Sequence, residues 1–367
     1  MVDSSSRLAR AVLKENLKVK KGESVVIESW THALPYARAF VEEARRLGAR
    51  PTVLYEDEEA WWNAVGAKQY SSVGALSDVE RAAIKSADVF IYFWGPEDRP
   101  RVNKLPDSAQ ERVVGWNEEW YRLARKSGLR GCRMSVAQAT DPAAAAFGLD
   151  GAAWRSRLLE AGAGETRPMI AKGNAFMRAL DRADEVRIRH PNGTDLTFQL
   201  EGLHHRVDVG MVDDEAMKRP YGMLTNNPSG QVLVAVDRSR ANGRFVSNRA
   251  VYLGPNRFGD VDWKFSDGKL VEQSIGLGGD VFQKEFAAAP AKGRDMLGYF
   301  SLGLNPGSRD LPPVEDTEEG AILIGIGSNG MAGGRVRIPF VGYALLGEGL
   351  IELDGKPVAK GGRVLTG

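Results

Sequence analysis

The chain has 367 residues, and its 49 Lys and Arg against 48 Asp and Glu leave a formal charge of +1 at neutral pH. That balance excludes an electrostatic case for nucleic acid or an anionic membrane as partner. Hydrophobic residues at 43% and charged residues at 26% describe a soluble globular protein of about two domains. The single cysteine, Cys132, excludes an internal disulfide and a thiolate metal site of its own. Residues Met1 to Leu13 lack the apolar core of a secretory signal and no apolar run reaches membrane-spanning length, so a cytoplasmic location is expected.

Taken in chain order, Arg7 to Leu17 reads as a short amphipathic helix and Ser24 to Glu28 as a buried strand. Leu34, Ala37, Phe40, Val41, Ala44 and Leu47 recur at helical spacing, and Gly48 supplies a C-terminal stop. Pro51 to Tyr55 is a second strand; a helix over Val79 to Ser86 leads into a third, Val89 to Trp94. Glu111 to Ser127 and Arg133 to Val136 continue as helix and strand. Short apolar strands alternating with helices predict an α/β domain with a mostly parallel sheet covered on both faces.

After a helix over Asn174 to Asp184 the pattern changes. Glu185 to His190 and Asp195 to Leu200 alternate around the turn Pro191-Asn192-Gly193-Thr194, a β-hairpin. Val232 to Val236, Asp262 to Phe265 and Gly349 to Gly355 extend the strand-and-turn pattern, which predicts a β-rich domain. The expected division is residues 1–178 and 179–367.

Few residues carry obvious chemistry. Gly325-Ile326-Gly327-Ser328-Asn329-Gly330 has dinucleotide spacing, but Met331-Ala332-Gly333-Gly334 after it is no helix start, and a glycine-rich turn is the better reading. No nucleophile elbow is present, and no cofactor is predicted. The four histidines are His32, His190, His204 and His205. His204 and His205 would point to opposite faces of a strand, leaving His205 with Asp208 as the pair able to act as an oriented base. Arg335 and Arg337, alternating after the glycine turn, are candidates to grip a substrate carboxylate.

Several segments, in order, carry a resemblance. They are Leu17 to Ile27, Ala139-Thr140-Asp141-Pro142, Ala183 to Ile188 with Asn192 to Leu196, Asn227-Pro228-Ser229-Gly230-Gln231-Val232, Gly298 to Asn305, Gly320 to Gly327 and Leu353-Asp354-Gly355-Lys356. In this order and spacing the chain resembles the aminopeptidase T family of metallo-aminopeptidases, and looks like their relative, the iron-dependent 2,5-dihydroxypyridine dioxygenase. The resemblance implies the family's two-domain fold and a homodimer. It also puts the family's metal-ligand positions on Gln231, Tyr299, Leu323, Val341 and Tyr343. An amide, two phenols and two alkyl groups lack the charged oxygens and imidazoles that a hydrolytic dication needs, so no metal is expected.

The resulting expectation is a metal-independent enzyme that hydrolyses or ring-opens a small amide, lactam or N-heteroaromatic compound. Tyr299 and Tyr343 would donate to an oxyanion, Gln231 would orient the substrate, and His205 with Asp208 would be the base. Two alternatives stand beside it. One is a metal-dependent leucyl aminopeptidase-like hydrolase drawing ligands from His204, His205, Asp208, Asp213 and Asp214; the other is a non-catalytic ligand-binding protein.

Overall fold

The computed structural model describes residues 3–114, 117–218, 222–237, 240–253 and 256–365, without the side chains of 201–206 and 253. The chain first lays down four strands: β1 (Ser24–Trp30), β2 (Arg50–Glu56), β3 (Val89–Phe93) and β4 (Arg130–Met134). It then makes a hairpin of β5 (Glu185–His190) and β6 (Thr194–Asp208), and follows with β7 (Leu224–Asn227) and β8 (Gln231–Val236). Ten more strands complete it. They are β9 (Asn242–Val246), β10 (Val251–Leu253), β11 (Asn256–Ser266), β12 (Lys269–Leu277), β13 (Leu297–Gly303), β14 (Ile322–Gly327), β15 (Val341–Leu346), β16 (Leu350–Leu353), β17 (Lys356–Lys360) and β18 (Arg363–Val364).

Two compact units result, Met1–Gly164 with Gly210–Pro228, and Glu165–Val209 with Ser229–Gly367. The sequence reading put the division at 178, inside the helix Thr166–Leu180. That helix goes wholly with the second unit, because its apolar face packs there: the Phe176 ring meets Phe300 edge-on at 6.4 Å. The first unit also takes back Gly210–Pro228, a return that local periodicity does not signal.

The first unit is an α/β sheet of parallel strands in the order β2-β1-β3-β4-β7. Its central strands β1 and β3 are mostly buried on both faces because helices cover both, while the edge strand β2 is largely exposed. On one face Phe40, from the helix Leu34–Arg46, meets Phe93 edge-on at 5.3 Å. On the other, Val26, Phe90 and Leu224 pack with Ile84 and Leu123 from the helices Asp78–Ser86 and Glu118–Ser127. Each fully buried side chain of this kind stabilises the unit by about 1.5–3 kcal/mol. The helix expected over Glu111 to Ser127 is divided into Asp107–Val114 and Glu118–Ser127. Asn117 begins the second piece, its Oδ1 accepting the Trp120 N–H at 3.0 Å, a cap that outweighs the helical spacing. The strand expected over Arg133 to Val136 starts earlier, at Arg130, and Ser135–Gln138 is a 3₁₀ turn.

The second unit is antiparallel and β-rich, in the central order β15-β14-β13-β8-β6-β5-β16-β17-β18, with β9 to β12 branching from it. The helix Thr166–Leu180 lies over one face, where Phe198 and Phe300 meet at 5.1 Å. Leu233, Ala235, Tyr299, Leu323 and Leu345 make up the other. An α/β domain followed by a β-rich one is the architecture the sequence pattern predicts. No helix among the described residues is long and apolar enough to cross a membrane.

Candidate functional site

Tyr299 on β13 and Tyr343 on β15 flank Gly325 on β14, residue against residue in the ladder. Their rings stand edge-to-face at 6.2 Å and their hydroxyls hydrogen-bond to each other. Gly325 makes this possible: a Cβ there would lie 2.4 Å from Tyr299 Cε1, and on the other side Tyr299 faces the small Ala235. Tyr299 is 2% exposed. Burial, above all, pushes both phenols above their ordinary pKa, Tyr343 adds to the rise of Tyr299, and Asp316 raises both. Both rings are therefore neutral hydrogen-bonding groups at physiological pH.

Asp316, in the turn Glu315–Thr317, is the acid these phenols feel. Burial raises its carboxyl to about 6, its own and the Thr317 backbone N–H pull the other way, and neighbouring Asp208 adds to the rise. Beside it Glu315, 6% exposed, accepts the Tyr252 N–H at 2.6 Å, and burial and then Asp316 push its carboxyl well up. A carboxyl that titrates near neutrality next to a phenol pair can hold or release a proton at working pH. Sequence reading missed Asp316 because Glu315-Asp316-Thr317-Glu318-Glu319 looks like a solvated acidic turn.

The other predicted residues are distributed around this centre. Asp208 is buried at the end of β6, opposite Gln231 on β8. Gln231 is four residues from Ala235, the partner of Tyr299, a separation of roughly 13 Å along the strand. The structure thus brings the tyrosines together and Gln231 with Asp208, in two places on one sheet. The His204 and His205 side chains lie outside the described residues; the His205 backbone pairs with Val234. Arg335 and Arg337 are exposed, and Arg337 donates to the Gly334 carbonyl at 2.7 Å. Only a 3₁₀ turn, Gly330–Ala332, follows β14, so the glycine spacing meets no helix N-terminus. Leu323 is packed in the apolar cluster with Leu233 and Leu345. The five positions on which the resemblance puts metal ligands carry an amide, two phenols and two alkyl side chains. Of the alternative ligands, Asp213 caps the helix Asp214–Met217 through the Ala216 N–H at 2.9 Å.

The first unit holds a feature that sequence reading passed over. Glu28 on β1, Tyr92 on β3 and Arg133 on β4 are register neighbours on one sheet face, at the carboxyl ends of parallel strands. Chain order reverses between β1 and β3, the switch point where open α/β sheets take ligands. A cavity of about 370 Å³ opens there. Burial, then Glu80 and Glu56, raise the Glu28 carboxyl to about 8. Burial lowers Arg133 to about 10, with Tyr92 acting against it. A charged residue inside an otherwise apolar strand, such as Glu28 in Val25-Val26-Ile27-Glu28-Ser29, was the available signal. Nearby, His32, Glu58 and Glu97 bring possible ligand atoms within 4.8 Å of one another. The Glu58 carboxylate already accepts the Glu97 N–H at 2.7 Å and Trp62 Nε1 at 3.1 Å, while His32 Nε2 lies 3.0 Å from the Ala137 carbonyl oxygen. His32 Nδ1 is 3.6 Å from Glu58, which makes this an ion pair when His32 is protonated.

The architecture is that of the aminopeptidase T fold. Wild-type AmpT from Thermus thermophilus matches with a TM-score of 0.71 at 20% identity, over 99% of each chain. A 2,5-dihydroxypyridine dioxygenase from Pseudomonas putida KT2440 matches with a TM-score of 0.63 at 17% identity, over 100% of this chain and 99% of its own. Both likenesses are of fold. No family profile matches the chain, and no curated protein matches it by sequence.

Proposed function

We propose that this protein is a metal-independent enzyme on a hydrolase-like fold, acting on a small amide, lactam or N-heteroaromatic compound by acid–base chemistry. The observation that carries the reading is the hydrogen-bonded pair Tyr299–Tyr343 under the field of Asp316, at positions where the resemblance puts metal ligands. Asp316, with its carboxyl at about 6, is ionised at neutral pH and serves as the base that activates water. The phenols donate to the oxygen that gains charge as the carbonyl is attacked. The proton taken by Asp316 then goes to the leaving nitrogen, so the group ends as it began.

The test is a panel of chromogenic anilides, lactams and N-heteroaromatic amides, assayed before and after exhaustive dialysis against phenanthroline and EDTA. Turnover that survives chelation, with no stoichiometric transition metal by elemental analysis, supports the reading. Turnover that is lost on chelation and restored by zinc, cobalt or manganese overturns it in favour of a metal-dependent aminopeptidase-like hydrolase.

A further inference from the structure

The first-unit cavity leaves opposite charges apart. Among the described residues no acid pairs with Arg133, which stacks instead on Trp94 and Tyr121, 5.6 and 5.5 Å from the ring centres. Arg99 stands over the same indole at 5.8 Å and donates to the Gly95 carbonyl at 3.0 Å, with no carboxylate partner among the described residues. Glu28 has no described hydrogen-bond partner either. Two strand spacings, roughly 10 Å, separate the Cα atoms of Glu28 and Arg133, with Tyr92 between them. The Tyr92 hydroxyl reports both poles: after burial, Glu28 raises its pKa while Arg99 and Arg133 lower it. The indole N–H groups of Trp30 and Trp94 also lack acceptors among the described residues. Half-buried charges held apart and unmade hydrogen bonds are costly in a finished core. They are the expected form of a site whose ligand supplies the missing partners.

We propose that this cavity binds a small zwitterionic aromatic compound, its carboxylate on Arg133 and Arg99, its ammonium on Glu28, and its ring over Tyr92 among the indoles. The cavity volume of about 370 Å³ lies within the range of small-molecule sites, roughly 300–1,000 Å³. Arg133, placed over aromatic rings and with no carboxylate partner among the described residues, can offer its N–H groups to a carboxylate. At the other pole Glu80 and Glu56 line the cavity with Glu28, and a cation there offsets both the burial and the acidic neighbours that keep Glu28 protonated. An arriving ammonium therefore displaces the Glu28 proton. This proposal is independent of the second-unit chemistry, because every residue in it belongs to the first unit.

The test is calorimetric titration of the full chain with para-aminomethylbenzoate, para-toluate and benzylamine, which carry both charges, the anion alone and the cation alone. The zwitterion should bind at least about tenfold more tightly than either half, since each charge-assisted hydrogen bond contributes on that scale. At pH 7 its binding should release close to one proton, read from the dependence of the heat on buffer ionisation. Arg133→Met should weaken the zwitterion and toluate alike and leave benzylamine unchanged. Glu28→Gln should weaken the zwitterion and benzylamine and abolish the proton release. Where Arg133→Met does not fold, Arg99→Met tests the same pole. Equal affinity for the three probes, or no zwitterion binding at millimolar concentration, overturns the proposal.

Discussion

Each unit carries polar side chains across a sheet face, and the two rows are built in opposite ways. In the first unit, Glu28, Tyr92 and Arg133 stand at the carboxyl ends of parallel strands, where diverging loops leave a cavity and the charges stay apart. In the second, Tyr299 and Tyr343 stand on an antiparallel ladder with Gly325 between them, among Leu323, Leu345 and Val251, and they satisfy each other. Buried polar groups in a sheet either close a network among themselves or present unmade bonds to a visitor. The second unit does the former and the first does the latter.

The largest effect should come from the phenol pair. Tyr343→Phe and Tyr299→Phe each keep the ring, so turnover on the substrate found by the panel should fall ~100- to 1000-fold. Melting should move by no more than one lost hydrogen bond, about 1 kcal/mol, requires. Unchanged turnover with lowered stability would make the pair structural and erase the contrast between the units.

The next effect is a pH dependence in the first unit. Glu28 stays protonated in the folded chain up to about pH 8, whereas in the unfolded chain it ionises near its ordinary 4.5. Between those values the folded state holds the extra proton, so this group makes stability fall as pH rises, by at most about 1.4 kcal/mol per unit. Below the lower value the contribution is complete, and above the upper one it changes no further. Glu28→Gln should remove that slope, and denaturant curves from pH 5 to 8 should show the variant gaining on the wild type throughout. Parallel curves would mean that Glu28 is charged at neutral pH.

Gly325→Ala should be smaller and confined to the second unit. The added Cβ meets the Tyr299 ring, and such overpacking costs about 1–3 kcal/mol, read from the denaturation midpoint. Ser77→Ala should be smaller still. The Ser77 hydroxyl and Glu80 form a reciprocal cap on the helix Asp78–Ser86, with Ser77 N donating to Glu80 Oε2 at 2.6 Å. Losing the hydroxyl should cost about 1 kcal/mol in urea unfolding. Benzylamine binding should hardly change, because the pole rests on Glu28.

Much of the fold is legible in the residues themselves. The buried run Val25-Val26-Ile27, the helical spacing that Gly48 ends, and the hairpin around Asn192-Gly193 are local patterns, and their elements form where those patterns lie. The division of the helix before Ser127 was also locally encoded, in the capping side chain of Asn117, but helical periodicity masked it.

What the sequence determined by itself is therefore the kind and order of the elements, because backbone sterics and burial period act over a few residues. Only the tertiary structure decided which side chains meet. Register between distant strands set Glu28 beside Tyr92 and Tyr92 beside Arg133. It put the two tyrosines across one glycine and left Gln231 four residues down the neighbouring strand. Packing then half-buried Asp316, turning an acid from a polar turn into one that titrates at about 6. Ladder register and desolvation are properties of the assembled sheet, so the candidate chemistry emerges only when the strands have paired.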